Sequence, residues 1–260
     1  MTQHLVEALR RIVKFILFFG LCLGNRRLYF RYRSFTVRLL ALFGLYERRN
    51  IALLKKVIRS GDTVIDVGAS FGVYTRALSK LVGENGKVVA FEPLVDVFQL
   101  LEQTTARCSN VTCVNAGLSD KSQNCHFRIP LLFKKIPEPA LATVEEYSGE
   151  IEWSEGTLTT LDEFWKSTGL RSVSFIKVDI EGHESAFLRG AKHTIASSRP
   201  VIQFEENDFD RNTARYQEFL KTERYEVYYL NGERLCRVGS GKSLAGQNNF
   251  YLFPSERTPD

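Results

Sequence analysis

Hydrophobic residues in this chain come in short runs, separated by stretches in which apolar positions recur every three or four residues. Five runs predict buried strands: 63–68 (TVIDVG), 87–93 (KVVAFEP), 111–116 (VTCVNA), 173–180 (VSFIKVDI) and 200–206 (PVIQFEE). The helical spacing predicts helices over 46–59, 72–82, 94–107, 183–197 and 211–222. Short apolar strands alternating with helices indicate an α/β fold, with a parallel sheet covered on both faces.

The remaining segments depart from this alternation. Residues 225–238 have the pattern of a β-hairpin around Asn231-Gly232, and 248–254 (NNFYLFP) supply a last strand. The stretch 124–160 contains Pro130, Pro137 and Pro139. We interpret it as strand fragments within an inserted loop, which is either a lid over the pocket mouth or a surface insertion.

The turn after the first strand, in VIDVGASFGVYT (64–75), predicts a ligand site. In a doubly wound sheet, ligands bind beyond the carboxyl ends of the strands. A dinucleotide site would require G-x-G-x-x-G, whereas this turn reads G-A-S-F-G and follows an acid. That acid, Asp66, suits the ammonium group of an amino acid, and Glu92, which ends the second strand, suits two ribose hydroxyls. S-adenosylmethionine carries both groups, and a purely structural turn is the alternative. The predicted contacts are Asp66, Gly68, Ala69, Ser70, Gly72 and Glu92.

A dense polar cluster, IKVDIEGHE, ends the fourth strand. We expect Asp179 to position an acceptor or a base, and His183 is a candidate general base because its ordinary pKa is near neutral. Lys177 has Asp179 and Glu205 as expected partners, in either a catalytic group or a buried ion pair. Glu181 and Glu184 are either catalytic or helix caps. A Mg²⁺ site formed by Asp179, Glu205 and a third acid is an alternative that no spacing supports, so no metal site is predicted.

The motifs together resemble the FkbM family of S-adenosylmethionine-dependent methyltransferases. The resemblance covers about residues 46–253 and rests on GDTVIDVGASFG, VVAFEP, VNAGLSD, TLTTLDEF, FIKVDIEGHESAFLRGAKHTI and RPVIQFEE. It implies a class I methyltransferase fold, with a seven-stranded sheet whose last strand is antiparallel, and O-methylation of a sugar, glycan or polyketide-type hydroxyl. It also implies that Asn115 and Asp120 line an adenine pocket, although Asp120 can equally serve as a turn residue.

The limit of the resemblance divides the chain into a basic N-terminal helical arm (1–45) and a class I S-adenosylmethionine-dependent methyltransferase domain (46–260). Residues 1–60 carry 13 Lys or Arg against two Asp or Glu, whereas the rest carry 22 against 28. Within the arm, Ile12–Leu23 is an apolar run flanked by arginines, about half as long as a membrane span. It is a helix packed on the body, an interfacial helix at anionic lipid, or an uncleaved signal or anchor. No aromatic recognition motif accompanies the basic residues, so nucleic acid is not expected as a partner.

The five cysteines form no C-x-x-C pair, which favours reduced thiols in a cytoplasm, with peripheral contact at the inner face of a membrane as an option. No feature of the sequence fixes an oligomeric state. The main hypothesis is an S-adenosylmethionine-dependent O-methyltransferase acting on a sugar, glycan or related natural product. The alternatives are a catalytically inactive cofactor-binding protein and a nicotinamide-dependent oxidoreductase.

Overall fold

A computed structural model describes residues 48–132, 136–206, 209–239 and 246–257, together with the single positions Phe35, Leu244 and Pro259. The predicted basic arm, including the run Ile12–Leu23, therefore lies outside the described residues apart from Phe35. Over the ranges that are described, no helix is both long enough and apolar enough to cross a membrane.

The main sheet forms from the strands that the hydrophobic runs predict. Its members are β1 (Thr63–Val67), β2 (Lys87–Phe91), β3 (Val111–Val114), β8 (Phe175–Val178), β9 (Val201–Glu205), β10 (Tyr225–Asn231), β11 (Arg234–Arg237) and β12 (Asn249–Pro254). Their order is β11-β10-β12-β9-β8-β1-β2-β3. The first five are mutually parallel, and β12 is antiparallel to both neighbours. This confirms the α/β class and the expected antiparallel last strand.

The expected count of seven strands is wrong by one, because the described residues give eight in this sheet. The additional strand, β11, is the second half of the predicted hairpin. It pairs with β10 from Asn231↔Arg234 to Tyr228↔Arg237, and Gly232 turns between them with φ +67°. A hairpin at the sheet edge therefore continues the sheet by one short strand.

Helices cover both faces of the main sheet. They are α1 (Arg48–Val57), α2 (Val73–Val82), α3 (Val95–Thr105), α4 (Leu161–Thr168), α5 (Glu184–Gly190), α6 (Lys192–Ser198) and α7 (Phe209–Thr222). The single helix predicted over 183–197 is wrong, because it breaks at Ala191 (φ −118°, ψ 10°). The helix restarts there because Asp162 of α4 accepts hydrogen bonds from the backbone N–H groups of His193 and Thr194, which form the first turn of α6.

The segment 124–160 is more regular than an inserted loop. It contains most of β5 (Gln123–Leu132), β6 (Ile136–Pro137) and β7 (Ile151–Thr159), which with β4 (Gly117–Leu118) form a second sheet in the order β4-β7-β5-β6. The long strands β5 and β7 are antiparallel and pair over eight positions, from Gln123↔Leu158 to Pro130↔Ile151. The inner face of this second sheet buries Phe127, Ile129 and Leu158. The expectation of a loop with strand fragments is therefore wrong for most of this stretch.

Strand alternation decides which side of the main sheet each β1 residue reaches. Ile65 and Val67 join the hydrophobic cluster on one face, whereas Val64 joins the cluster beneath α1 and α2 on the other. Because side chains alternate along a strand, Asp66 points to the same side as Val64. The acid of the glycine turn therefore lies under α2, within the protein.

Candidate functional site

A cleft opens at the carboxyl ends of β1, β2 and β8, where the chain order of the sheet reverses. It contains about 790 Å³ of empty space, including its open mouth. The lining residues are Gly68, Ser70, Glu92, Pro93, Leu94, Gly117, Leu118, Phe127, Pro139, Ala140, Ala142, Thr143, Val144, Leu158, Asp179, Ile180, Glu181 and His183. The main sheet supplies one wall, and the second sheet with its connecting loops supplies the other.

The glycine turn forms the floor of the cleft. Gly68 (φ +76°), Ser70 (φ +48°) and Gly72 (φ +77°) all adopt left-handed backbone conformations. The N–H groups of Gly68 and Ala69 donate to the carbonyl of Phe91, which fixes the turn against β2. A Cβ atom on Gly68 would lie 1.9 Å from the carbonyl oxygen of Asp179. Only glycine allows the turn to rest directly on the end of β8.

Glu92 links the turn to the second strand. Its two carboxylate oxygens accept hydrogen bonds from the backbone N–H groups of Ser70 and Leu94, each at 3.0 Å. Burial raises the pKa of Glu92 to about 7. Asn115 donates its amide to the carbonyls of Glu92 and Pro93. Each carboxylate oxygen keeps a further lone pair for a ligand hydroxyl.

Asp66 and Lys177 form a buried group behind the cleft rather than part of its lining. Asp66 is fully buried, accepts a 2.6 Å hydrogen bond from Thr75 of α2, and has its other oxygen 3.7 Å from Lys177 Nζ. Burial raises the pKa of Asp66, against the opposing effect of Lys177. Lys177 also lies 3.1 Å from Asp179, as expected, and above the ring of Tyr74. Through Asp179, this group reaches the cleft.

The loop between β8 and α5 carries three of the predicted site residues into the cleft: Asp179, Glu181 and His183. Glu181 has a left-handed backbone (φ +53°), and its carbonyl accepts a hydrogen bond from Thr143. The carboxylate of Glu184 accepts from the N–H groups of Ile180 and Gly182, both at 3.3 Å. Glu184 thus holds the loop that precedes its own helix, close to the predicted capping role.

Glu181 in this loop and Glu184 at the start of α5 both have raised pKa values, which favour the neutral carboxylic acid. Burial, followed by the charges of Asp179, Glu205 and Glu184, raises the pKa of Glu181 to about 8. Burial raises the pKa of Glu184 to about 7, although its backbone hydrogen bonds oppose this.

Glu205 does not line the cleft; its carboxylate accepts a hydrogen bond from the side-chain amide of Asn248. Over the described part of the chain, no three His, Cys, Asp or Glu side chains are placed to hold a metal ion.

His183 stands at the start of α5 with a partner at each ring nitrogen. Its Nδ1 lies 2.6 Å from Oε1 of Glu145, and its Nε2 lies 2.8 Å from the hydroxyl oxygen of Ser119. Neither partner follows from the sequence patterns. Ser119 lies in the VNAGLSD motif, which could have drawn attention to it, whereas nothing in the sequence around Glu145 singles it out.

The residues predicted for an adenine pocket lie beside the cleft and outside its lining. Asp120 pairs with Arg189, whose Nη2 and Nε lie 2.9 and 3.1 Å from one carboxylate oxygen, and Arg189 lowers the pKa of Asp120. A Cβ atom on Gly190 would lie 1.9 Å from the carbonyl of Ser119. The L-R-G-A motif therefore holds the 119–120 backbone. The apolar wall of the cleft is instead formed by Leu94, Leu118, Phe127 and Leu158.

This arrangement fits S-adenosylmethionine. The apolar wall offers a surface for a flat base. A Cβ on Gly117 would lie 2.7 Å from Leu158, and a Cβ on Gly156 would lie 2.6 Å from Phe127, so either would displace a side chain of this wall. Glu92 stands at the cleft with carboxylate lone pairs for ribose hydroxyls, and Gly68 and Ser70 of the glycine turn line the same space. The polar loop 179–183 faces the same space.

One protein family and several known proteins are similar to this chain. The family model described as "Methyltransferase FkbM domain" matches residues 66–227. The hexuronic acid methyltransferase AglP of Haloferax volcanii is 29% identical over 158 residues, which are 60% of this chain and 61% of that protein. This chain therefore spans less than two thirds of that relative.

Two solved structures align with most of this chain at TM-scores below 0.5. A methyltransferase FkbM from Methylobacillus flagellatus has a TM-score of 0.49 and 15% identity, over 86% of this chain and 55% of that one. Fibrillarin from Aeropyrum pernix, solved with natively bound S-adenosyl-L-methionine, has a TM-score of 0.45 and 13% identity, over 78% of this chain and 73% of that one.

Proposed function

The chain belongs to the FkbM methyltransferase family, and we propose that it transfers a methyl group from S-adenosylmethionine to a hydroxyl of a sugar, glycan or related natural product. The observation that carries this proposal is a cleft whose lining contains Glu92 and the glycine turn together with Asp179, Glu181 and His183. The hexuronic acid named for the Haloferax volcanii relative supports a sugar-like acceptor.

The cofactor half of the cleft is assigned to Glu92 and the apolar wall. When bound, S-adenosylmethionine supplies a methyl group on a sulfonium, an excellent leaving group. Glu92 would accept hydrogen bonds from the ribose hydroxyls, each charge-assisted bond contributing about 1.5–3 kcal/mol. The adenine would pack against Leu94, Leu118 and Leu158. Asp66, which lies beneath the turn, supports the methionine end through its hold on α2 and Lys177.

The acceptor half is assigned to the loop after β8. An aliphatic hydroxyl has a pKa near that of water, about 15.7, so it requires a base as it attacks. A positioned general base contributes about 10²–10⁴ in rate, and correct alignment of the reacting groups contributes about 7–11 kcal/mol. We assign the base to His183. Asp179, held by Lys177 at 3.1 Å, and Glu181 position the acceptor hydroxyl.

Calorimetric titration of the full chain with S-adenosylhomocysteine tests the cofactor assignment. We expect binding by the wild type, at least a tenfold loss for Glu92→Ala, and no loss for the control Glu84→Ala, which removes an exposed glutamate. Absence of binding by the folded wild type would refute the cofactor assignment.

The transfer itself is tested by mass spectrometry of glycans and metabolites from cells with and without the protein. We expect a product heavier by one methyl group when the protein is present, and loss of that product with His183→Gln. Cofactor binding without any such product would instead support the inactive binding protein.

The location is proposed together with the function. The described cysteines are all free thiols, at positions 108, 113, 125 and 236, which suits a reducing cytoplasm. We propose that the basic arm contacts anionic lipid at the inner face of a membrane, where a lipid-linked sugar would be within reach of the cleft.

A further inference from the structure

Three distant segments meet in a chain of hydrogen bonds whose middle member, His183, lines the cleft. Glu145 comes from the loop before β7, His183 from the loop after β8, and Ser119 from the residue after β4. The contacts are 2.6 Å from Glu145 Oε1 to His183 Nδ1 and 2.8 Å from His183 Nε2 to Ser119 Oγ. The carboxylate, imidazole and hydroxyl therefore lie in series.

The chemistry of the partners determines where the proton on neutral His183 resides. A neutral imidazole has one N–H donor and one acceptor nitrogen, and an ionised carboxylate can only accept. Glu145 therefore requires the proton on Nδ1. This leaves the lone pair on Nε2, where it accepts a hydrogen bond from the Ser119 hydroxyl. The histidine thus presents its basic nitrogen on the side away from Glu145.

Ser119 has a second acceptor for its hydroxyl proton. Its Oγ lies 3.3 Å from Oδ1 of Asp120, and Asp120 is kept ionised by Arg189, which lowers its pKa. A hydroxyl has one proton and can rotate. When Ser119 turns to Asp120, Nε2 becomes available; when Nε2 is protonated, it can donate to Ser119 Oγ. Both charge states of His183 therefore keep hydrogen-bond partners.

The backbone around Glu145 is held although its side chain is half exposed. The N–H of Glu145 donates to the hydroxyl oxygen of Thr143 at 3.0 Å, and Thr143 donates in turn to the carbonyl of Glu181. Arg128 of β5 donates to the carbonyls of Val144 and Glu145. The second sheet therefore fixes the backbone from which the carboxylate of Glu145 reaches His183.

We propose that Glu145 is a positioning residue for methyl transfer, and that Ser119 is the hydroxyl that releases His183 to act as the base. This rests on the function proposed above. In the step, Ser119 turns to Asp120 and the acceptor hydroxyl takes its place at Nε2. The acceptor O–H bond breaks and an N–H bond forms at Nε2. The acceptor oxygen keeps the electron pair of the O–H bond and uses it to take the methyl group, whose bond to the cofactor sulfur would break with its electron pair left on that sulfur.

Long-range ¹H–¹⁵N NMR of histidine-labelled full-length protein tests the arrangement without any acceptor. His183 is assigned by its loss in His183→Gln. At mildly alkaline pH we expect the Nδ1–H form in the wild type, a shift towards Nε2–H in Glu145→Ala, and no change in Glu146→Ala, which removes the neighbouring exposed carboxylate. An Nε2–H wild type, or a Glu145→Ala spectrum that matches the wild type, would overturn the proposal.

Steady-state kinetics provide the second measurement. The substrate is the acceptor whose methylated form is found by mass spectrometry. We expect Glu145→Ala to lower kcat by about 10–100-fold, part of the contribution of a general base, with KM and S-adenosylhomocysteine affinity within about twofold of the wild type. An unchanged kcat would overturn the positioning role. Failure of the wild type to bind S-adenosylhomocysteine would refute the proposed function, whereas the tautomer of His183, which is read without cofactor or acceptor, tests the Glu145–His183–Ser119 arrangement separately.

Discussion

Replacing Gly68 by alanine tests whether the glycine turn must rest on the end of β8. Gly68 has φ +76°, and a Cβ atom there would lie 1.9 Å from the carbonyl oxygen and 3.0 Å from the carbonyl carbon of Asp179. Both neighbouring atoms belong to the backbone. That backbone is fixed, because the Asp179 N–H donates to the carbonyl of Val67 and so joins the ends of β8 and β1. The backbone must therefore shift to admit the methyl group.

Two costs add at this position. The left-handed conformation costs a residue with a side chain about 1–2 kcal/mol, and forcing an extra methyl group into a packed region costs about 1–3 kcal/mol. We expect Gly68→Ala to lower the free energy of unfolding by about 2–5 kcal/mol. Because the turn forms the floor of the cleft, S-adenosylhomocysteine affinity should fall at least tenfold in the protein that remains folded.

Gly169→Ala is the matched control, because Gly169 also has a left-handed backbone (φ +65°) but has nothing within 4 Å of the position of a Cβ. It should show the conformational cost alone and normal binding. Urea denaturation of both variants gives the difference, which should be about 1–3 kcal/mol. Equal stability of the two variants, or unchanged cofactor affinity in Gly68→Ala, would refute the close approach of the turn to β8.

Three further outcomes follow from the site and from the arm. Since the folded-state pKa of Glu92 is raised from 4.5 to about 7, the folded state holds this proton more tightly. The free energy of unfolding should therefore fall by up to about 3 kcal/mol as pH rises between these values, and Glu92→Gln should reduce this slope in urea titrations. Gly190→Ala should cost about 1–3 kcal/mol by clashing with the Ser119 carbonyl, whereas Gly239→Ala, in open space, should cost less than 1 kcal/mol in the same assay. The full chain should sediment with anionic vesicles more than a chain starting near residue 45; equal sedimentation would exclude lipid contact by the arm.

The parts of the fold that sequence alone predicts are those fixed by local patterns. The strand TVIDVG, the helix ending near Gly83 and the hairpin at Asn231-Gly232 each depend on neighbouring residues, and each forms where predicted. The position of Glu92 at the cleft could also be predicted, because the carboxyl end of a strand next to a glycine turn has a defined place in an α/β sheet.

Contacts between distant segments could not be predicted in this way. The break at Ala191 depends on Asp162, whose carboxylate reaches the start of α6 from 31 residues earlier. The orientation of Asp66 depends on which face of the sheet α2 covers. The partners of His183 lie 38 and 64 residues away. Such pairings are created by tertiary packing, so no periodicity or spacing in the sequence encodes them.

The prolines of the 124–160 segment explain why its strands were missed. Pro130 removes a backbone donor inside the run, which argues against a strand. The alternation that remains, with Phe127 and Ile129 inward and His126 and Arg128 outward, is nevertheless that of a half-buried strand. Long-range pairing with β7 outweighed the local signal.

The second sheet begins and ends at the same place, since Gly117 and Leu118 pair directly with Leu158 and Thr159. The chain between these two short strands, which supplies one wall of the cleft, therefore leaves and rejoins the rest of the fold at a single pair of strands. Grafting the corresponding segment of another family member between Leu118 and Leu158 would leave Glu92 and the glycine turn unchanged, but it would replace Phe127 of the apolar wall together with Ser119 and Glu145.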